Sequence, residues 1–342
     1  MDSVTQIALG ATVGEVTLGK KIGNKAILWG GLIGLLPDLD VLIPLGDAVK
    51  DFTYHRSASH SLFVLTLLTP FMVWLILKIH PKTADFRNRW IALVFLAFTT
   101  HILLDSFTVY GTQVFWPMTT PPVMWSTIFI VDPIYSLPLL IGVIAALKMS
   151  RNTSRGHTFA KIGLALSSLY LVWTIGVKSH VGQVAKESLE QQNISHNQIL
   201  TLAAPFNTML WRVLVMDNEN YYEGFYSIFD KDRDIDFKAY PNQKKLLDSL
   251  QEHWPVARLQ WFTHDNYAVE QMGNDIVIKD LRMGFEPTYI FQFKIGEMVQ
   301  GETVPTKSVQ INPKLDLSAL FWVWNRIWEK PSAETLSVVS AD

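Results

Sequence analysis

Six apolar stretches run through the first half of the chain, at about 3–18, 26–45, 60–79, 90–107, 130–148 and 160–177. A helix that crosses the hydrocarbon layer takes roughly 20 residues, within a range of about 17–25. The middle stretches meet that length. The first is short and carries Gln6 and Glu15, so it reads as a tilted or re-entrant segment. The first half is therefore expected to be a polytopic domain of five to six membrane helices. Gly10 and Gly14 in the first stretch, and Gly30 and Gly34 in the second, have the small-xxx-small spacing that lets helix backbones approach closely in lipid.

The loops between the stretches give an orientation. Lys20, Lys21 and Lys25 separate the first two. Lys78, Lys82, Arg87 and Arg89 separate the third from the fourth, and Lys148, Arg151, Arg155 and Lys161 the fifth from the sixth. Eleven of the 14 basic residues up to position 180 thus fall on alternate loops, and none lies between Trp90 and Leu147. The positive-inside rule makes those loops cytoplasmic. The N-terminus, the 46–59 and 108–130 loops and everything after 178 then face outward. No cleavable signal sequence is evident, since Met1–Gly19 lacks a basic leading region.

Charge divides the chain as sharply as hydropathy does. Residues 1–180 carry 14 basic and 9 acidic side chains, whereas 181–342 carry 15 and 22. The absence of cysteine excludes disulfides, thiolate zinc sites and cysteine nucleophiles. Beyond Lys178, Trp211–Val215 and Tyr221–Phe229 flank Asp217–Asn220 in a hairpin-like pattern. Ala257–Thr263, Asp275–Leu281 and Thr288–Lys294 read as further strands, and Leu246–His253 as a short helix. The expected organisation is a membrane domain over 1–178, a mixed, β-rich α+β soluble domain over 179–315, and an amphipathic helix and tail over 316–342. Within the last, Leu317–Trp328 is rich in tryptophan and suits either the membrane interface or packing on its own domain.

Ionisable residues inside membrane segments are costly and are functional candidates by default. With the orientation above, Asp38 and Asp40, His55 to Ser61, His101 and Asp105, Asp132 and Gln6 all fall at one outer depth, contributed by five segments. His101 and Asp105 are one helical turn apart and share a face. His55 and His60 bracket a loop that can fold both rings inward, and Pro37 favours a break that turns Asp38 and Asp40. Imidazole with carboxylate is the ligand set of zinc, manganese or iron. A site with open positions activates water, and Arg56 has the planar fork that grips phosphate. The bland alternatives are an N-cap at Asp132 before Pro133, a structural turn at Asp38 and Asp40, and a snorkelling Arg56.

At these residues the sequence resembles the bacterial family of membrane-bound metal-dependent hydrolases known as YdjM-like, or LexA-binding inner-membrane, proteins. The matching pieces are Met1-Asp2-Ser3-Val4-Thr5-Gln6, Leu36-Pro37-Asp38-Leu39-Asp40, His55-Arg56 with Ser59-His60-Ser61, and Thr100-His101 to Leu104-Asp105 with Thr108 and Gly111. The resemblance covers about residues 1–150. It implies a metal-dependent hydrolase in the inner membrane, with ligands drawn from Asp38, Asp40, His55, His60, His101 and Asp105. Many relatives carry histidine near position 6, where this chain has Gln6.

The reading is a multi-pass hydrolase of the bacterial cytoplasmic membrane, acting at its outer face on a lipid-linked or phosphate ester. Its cofactor is a divalent metal, zinc first, with manganese or iron as alternatives. Arg56, Asp40 and Asp105 would carry the chemistry beside the ligands. Membrane lipid is the expected partner, and nothing indicates nucleic acid. The competing readings are a metal-free histidine phosphatase of membrane lipids and a non-enzymatic scaffold or transporter.

Overall fold

The structure is a computed structural model that describes residues 1–149, 154–313 and 318–330. Arg151, in one of the basic loops, and Leu317 and the tail from 331 lie outside the described residues. The chain forms two compact units. One comprises 1–125, 130–173 and 258–265, and the other 126–129, 174–257 and 266 onward.

The first unit is helical. Helix α1 (Ser3–Gly14) continues through a π-turn at Glu15–Gly19 to Ile22, and α2 (Asn24–Leu35) runs back beside it. The glycines decide how closely these two pack. A Cβ on Gly10 would lie 2.2 Å from the Gly30 carbonyl oxygen, and one on Gly14 would lie 2.1 Å from that of Ala26. The small-xxx-small spacing is thus used for backbone contact. Pro37 sits in the 3₁₀ turn Leu36–Leu42 that ends α2.

Short helix α3 (Ala48–Tyr54), capped by Asp47, leads to the turn before α4 (Leu62–Ile79). Helix α5 (Arg87–Ser106) follows the 3₁₀ turn Pro81–Phe86. Among the described residues, three segments are long and apolar enough to cross a membrane: Leu62–Ile79, Pro81–Ser106 and Arg155–Gln191. Only 22% and 28% of the apolar window is buried in the first and last, against 56% in Pro81–Ser106. The last-named is therefore the helix that others cover. Trp90, Leu93, Val94, Ala97, Phe98 and Ile102 of α5 form the centre of its core. Helix α6 (Pro133–Lys148) is apolar but shorter, and α1 and α2 have 12 residues each. Among the described residues the structure thus has three helices of sufficient length and apolarity, where the sequence pattern gives five or six.

The second unit is β-rich. Helix α7 (Arg155–Gln191) contributes its first part to the helical unit and the rest here. The apolar stretch was expected to end near 177, but the helix runs on. Val177, Val181, Val184, Ala185 and Leu189 pack on Trp211, Val213 and Val215, so its apolar face changes role from span to core. Strands β1 (Gln198–Ala203), β2 (Leu210–Met216), β3 (Asn220–Ser227) and β4 (Lys238–Pro241) make one antiparallel sheet in that order. The expected hairpin is its β2–β3 pair, with Met216 opposite Tyr221. A second sheet takes β5 (Tyr267–Met272), β6 (Asp275–Asp280), β9 (Gln292–Val299) and β10 (Glu302–Ile311), in the order β10-β9-β6-β5. The small pair β7 (Gly284–Phe285) and β8 (Thr288–Tyr289) stands apart. The strands expected at Asp275–Leu281 and Thr288–Lys294 correspond to β6 and to β8 with the start of β9. The helix expected at Leu246–His253 is a 3₁₀ helix at Lys244–Leu250.

One expectation is overturned. Ala257–Thr263 is not a strand but lies within helix α8 (Trp254–Thr263). Pro255 favours a helix start. Val256, Leu259 and Phe262, all buried, recur at the three-residue step of a helix face. The terminal helix α9 (Ser318–Trp328) packs Val323 and Ile327 against Ala204 and Leu210, and its Phe321 and Trp324 stay exposed.

Candidate metal centre

The break that Pro37 introduces puts Asp38 and Asp40 on a tight turn, where two residues two apart face different neighbours. The chain then reverses after α3 through Arg56, which holds a left-handed φ of 62°, unusual for a residue with a side chain. The Arg56 backbone N–H donates to Asp40 Oδ2 at 3.1 Å, and the Arg56 carbonyl accepts from the Gln113 N–H at 2.9 Å. That turn delivers His60 into the interior. His101 and Asp105 arrive from one face of α5, as their spacing requires.

Four side chains converge: Asp38, His60, His101 and Asp105 each offer one ligand atom, all within 4.8 Å of one another. His60 Nε2 lies 3.1 Å from His101 Nε2, 3.3 Å from Asp38 Oδ1 and 3.2 Å from Asp105 Oδ2. His101 Nε2 lies 3.6 Å from Asp38 Oδ1 and 3.5 Å from Asp105 Oδ2. Ligand atoms about 2.0–2.1 Å from a tetrahedral zinc ion stand roughly 3.3–3.4 Å apart. Five of the six edges of this tetrahedron are close to that length.

The hydrogen bonds on the far side of each ring set the tautomers. His101 Nδ1 lies 2.7 Å from the Gly34 carbonyl oxygen, which can only accept. That nitrogen carries a proton, and in the neutral ring Nε2 is left to ligate inward. His60 Nδ1 lies 2.9 Å from Ser59 Oγ, and Ser59 in turn donates to Asp40 Oδ2. The Ser59 oxygen therefore accepts from His60, and in the neutral ring the second Nε2 is likewise left to ligate inward. Ligating histidines are commonly oriented in this way by carbonyls and carboxylates behind them. His60, His101 and Asp105 are buried, and Asp105 Oδ2 has no hydrogen-bond partner among the described residues. Two imidazoles and two carboxylates gathered this closely, with the Arg56 guanidinium beside Asp105 Oδ2, are a donor set that fits a divalent cation.

The remaining candidates surround this set. Gln6 Nε2 donates to Asp105 Oδ1 at 3.0 Å and to the His101 carbonyl at 3.3 Å, and the Met1 α-amino group also pairs with Asp105 Oδ1. Gln6 thus orients a carboxylate rather than standing in the four-atom cluster. His55 Nδ1 bonds Asp40 Oδ1 at 2.7 Å, so these two form a pair beside the cluster. Arg56 is buried, with Nε 3.4 Å from Asp105 Oδ2, Nη1 donating to Thr108 at 3.3 Å and its guanidinium 5.0 Å from the Tyr110 ring. Asp132 is elsewhere: it caps α6 at the N–H groups of Ile134 and Tyr135 and accepts from the Tyr170 hydroxyl at 2.8 Å. Sequence reasoning missed Ser59 as a relay and the Gly34 carbonyl. A backbone oxygen leaves no sequence signal, and Ser59 was visible only as part of the histidine-containing turn.

Fold and site together define a membrane protein whose helical unit holds a largely buried two-aspartate, two-histidine cluster. The chain belongs to the YdjM family: residues 1–181 match the family described as YdjM inner membrane protein. It is also similar to an uncharacterized protein of Bacillus subtilis (strain 168), YfhP, with 24% identity over 317 residues that cover 83% of this chain and 95% of the relative. No solved structure matches it.

Proposed function

We propose that the protein is a metal-dependent hydrolase acting on lipid-linked or phosphate esters at the outer face of the bacterial cytoplasmic membrane. The carrying observation is the approach of the Nε2 atoms of His60 and His101 to 3.1 Å, with two carboxylate oxygens beside them. Asp38, His60, His101 and Asp105 would hold a divalent ion, zinc first. When bound, such an ion supplies a Lewis acid and brings the pKa of water down to about 7.

The chain's own residues do the rest. Gln6 fixes the Asp105 carboxylate from behind, and Asp40 fixes His60 through Ser59. Arg56, buried beside Asp105 Oδ2, places a positive charge where an anionic ester would meet the cluster. His55, oriented by Asp40, stands at the partly exposed rim with Asp38. That rim continues into Leu39, Val41, Leu42 and Ile43, all exposed apolar residues. An amphiphile with an anionic head and an apolar tail suits both halves of the surface.

The first test is metal content of the detergent-purified chain. About one divalent ion per chain is expected in the wild type, and His60→Ala should hold essentially none. The metal-loaded chain is then offered phosphate and carboxylate esters of lipids. A wild type that retains no metal after dialysis against zinc, manganese or iron sinks the reading. The orientation rests on the basic loops and is tested separately, because a chain without cysteine allows single-cysteine labelling. In intact spheroplasts an impermeant thiol reagent should modify Ser195→Cys at once, and Lys82→Cys only after permeabilisation. The reverse pattern would move the site to the cytoplasmic face.

A further inference from the structure

Residues 258–265 lie far beyond the family match at 1–181, yet they fold into the helical unit. Arg258 is the first of them. Its Nε donates to Thr53 Oγ1 at 3.0 Å and its Nη2 to the Thr53 carbonyl at 3.1 Å. The guanidinium also lies 4.6 Å from the Tyr54 ring and 4.2 Å from that of Trp261. Thr53 is fully buried and donates its own hydroxyl to the Val49 carbonyl at 2.7 Å, so the Arg258 bond uses its remaining lone pairs. Phe262, one helical turn on, meets Phe52 at 4.9 Å and Tyr110 at 5.6 Å between ring centroids. Tyr110 in turn donates to the Phe52 carbonyl at 2.7 Å and faces His55 at 5.5 Å and Arg56 at 5.0 Å.

All these contacts bear on one point of the backbone. Thr53 and Tyr54 end α3, and the next two residues are His55 and Arg56, the latter in its left-handed conformation. A backbone held in a sparsely populated region persists only where its surroundings over-determine it. The Gln113 side chain also donates to the Thr53 carbonyl, at 2.7 Å. The end of α3 therefore has two independent clamps, one from the loop after α5 and one from α8. Neither touches the four ligand atoms.

We infer that Arg258 is a positioning residue for the metal centre: it fixes the end of α3 so that the strained turn through His55 and Arg56 presents His60 and Arg56 to the cluster. This rests on the metal-centre reading for its function, but the structural part stands on the α3 contacts alone. Arg258→Ala removes both hydrogen bonds to Thr53 and leaves the Gln113 clamp. The turn then samples more of its neighbouring conformations, and the cluster is assembled for a smaller fraction of the time. Loss of a residue that orients ligands from behind costs about 10–100-fold in metal affinity.

The experiment uses the full chain in detergent with two readouts. The first is hydrogen–deuterium exchange of the amides of residues 54–60, measured without metal. The second is cobalt(II) titration followed by its visible absorption, which reports ligand number and geometry. In Arg258→Ala, exchange over 54–60 should rise by about tenfold or more, because those amides are protected by local closure. Cobalt affinity should fall by about tenfold or more, with a changed spectrum. Arg258→Lys should restore part of both, since an ammonium keeps the charge but cannot span the hydroxyl and the carbonyl in one plane. The comparison variant is Arg233→Ala, which breaks an exposed pair with Glu187 and should change neither.

Wild-type exchange over 54–60 in Arg258→Ala overturns the inference, as does equal acceleration in Arg233→Ala. If the wild-type chain binds no cobalt, the metal reading fails while the exchange measurement still decides whether Arg258 holds the turn. If Arg258→Ala does not accumulate, Arg258→Lys is read in the same way: faster exchange supports the clamp and wild-type exchange overturns it.

Discussion

Two buried polar clusters, one in each unit, show what separates a site from a structural network. In the β-rich unit, Arg212 pairs with Glu223, donates to Tyr289 at 3.1 Å and donates to the Leu281 carbonyl at 2.7 Å. Glu223 also accepts from the Tyr289 hydroxyl and from the Glu286 N–H, and Tyr221 donates to Glu286. Cation, anions and hydroxyl donors are supplied together, and both oxygens of Glu223 meet a donor. In the helical unit, ligand atoms of two imidazoles and two carboxylates lie within 4.8 Å of one another, and Asp105 Oδ2 has no hydrogen-bond partner among the described residues. A buried network is worth keeping only when its members are satisfied. The carboxylate of the first cluster meets donors on both oxygens, whereas the second gathers two imidazoles and two carboxylates into a set of atoms that could hold a cation, with Arg56 beside it.

The contrast is broken most directly by removing one member from each cluster. His101→Ala should abolish metal retention while the purified chain keeps its β-rich unit folded. Glu223→Gln should do the opposite. It leaves Arg212 as a buried charge without its counter-ion, which costs about 3–5 kcal/mol, and the metal content per folded chain should not change. Arg212→Met combined with Glu223→Leu should recover much of that loss, since an apolar pair of similar size is often tolerated where an ion pair stood. The measurements are metal analysis and denaturant unfolding of the same preparations. If Glu223→Gln released metal while His101→Ala retained it, the assignment of the two clusters would be exchanged.

Part of this contrast is legible in the sequence. The one-turn spacing of His101 and Asp105 is enough to place both on one face, and the glycines at 10, 14, 30 and 34 announce the α1–α2 contact. Spacing treats Asp38, Asp40, His55, His60, His101 and Asp105 as equals. Folding separates them, because the 3₁₀ turn sends Asp38 to His60 and His101 and sends Asp40 to His55 and Ser59. That division depends on a turn of the backbone about Pro37 and on the φ of Arg56, neither of which residue spacing encodes. Ala257–Thr263 misleads for a different reason. A short apolar run suits either a strand or a buried helix, and its fate is set by Phe262 meeting Phe52 and Tyr110, residues far earlier in the chain. The Arg212 network leaves no trace in the sequence pattern. Arg212, Glu223 and Tyr289 lie on separate strands, and alternation identifies a face without naming the residue across from it.

The smallest expected effect concerns protons in the β-rich unit. Tyr289 is buried against Glu223, and both burial and that negative charge push its hydroxyl well above the ordinary phenol range. Burial and the charge of Glu286 push Tyr221 upward in the same direction. Tyr240, stacked 5.3 Å from Tyr221, is pushed up to about 12, chiefly by burial and then by Glu223. The sign follows from which form the fold prefers. A phenol whose pKa is higher in the folded chain than its unfolded value of about 10 stabilises the fold fully below pH 10. That contribution is lost as pH rises from about 10 toward 12, because the unfolded chain then releases the proton first. Ultraviolet titration of phenolate should therefore show Tyr221, Tyr240 and Tyr289 ionising late, together with the loss of β-sheet circular dichroism, while more exposed tyrosines ionise earlier. Tyr289→Phe should lower stability near neutral pH by about 1–3 kcal/mol, the usual cost of leaving a buried partner without its donor. It should also flatten the alkaline decline, since one of the delayed protons is gone. If all tyrosines of the folded chain ionised together at the ordinary value, the network would be open to water and its carboxylate would not be held by the Tyr289 hydroxyl. The claim that the β-rich cluster satisfies its own carboxylate, and so differs in kind from the candidate metal centre, would then fail.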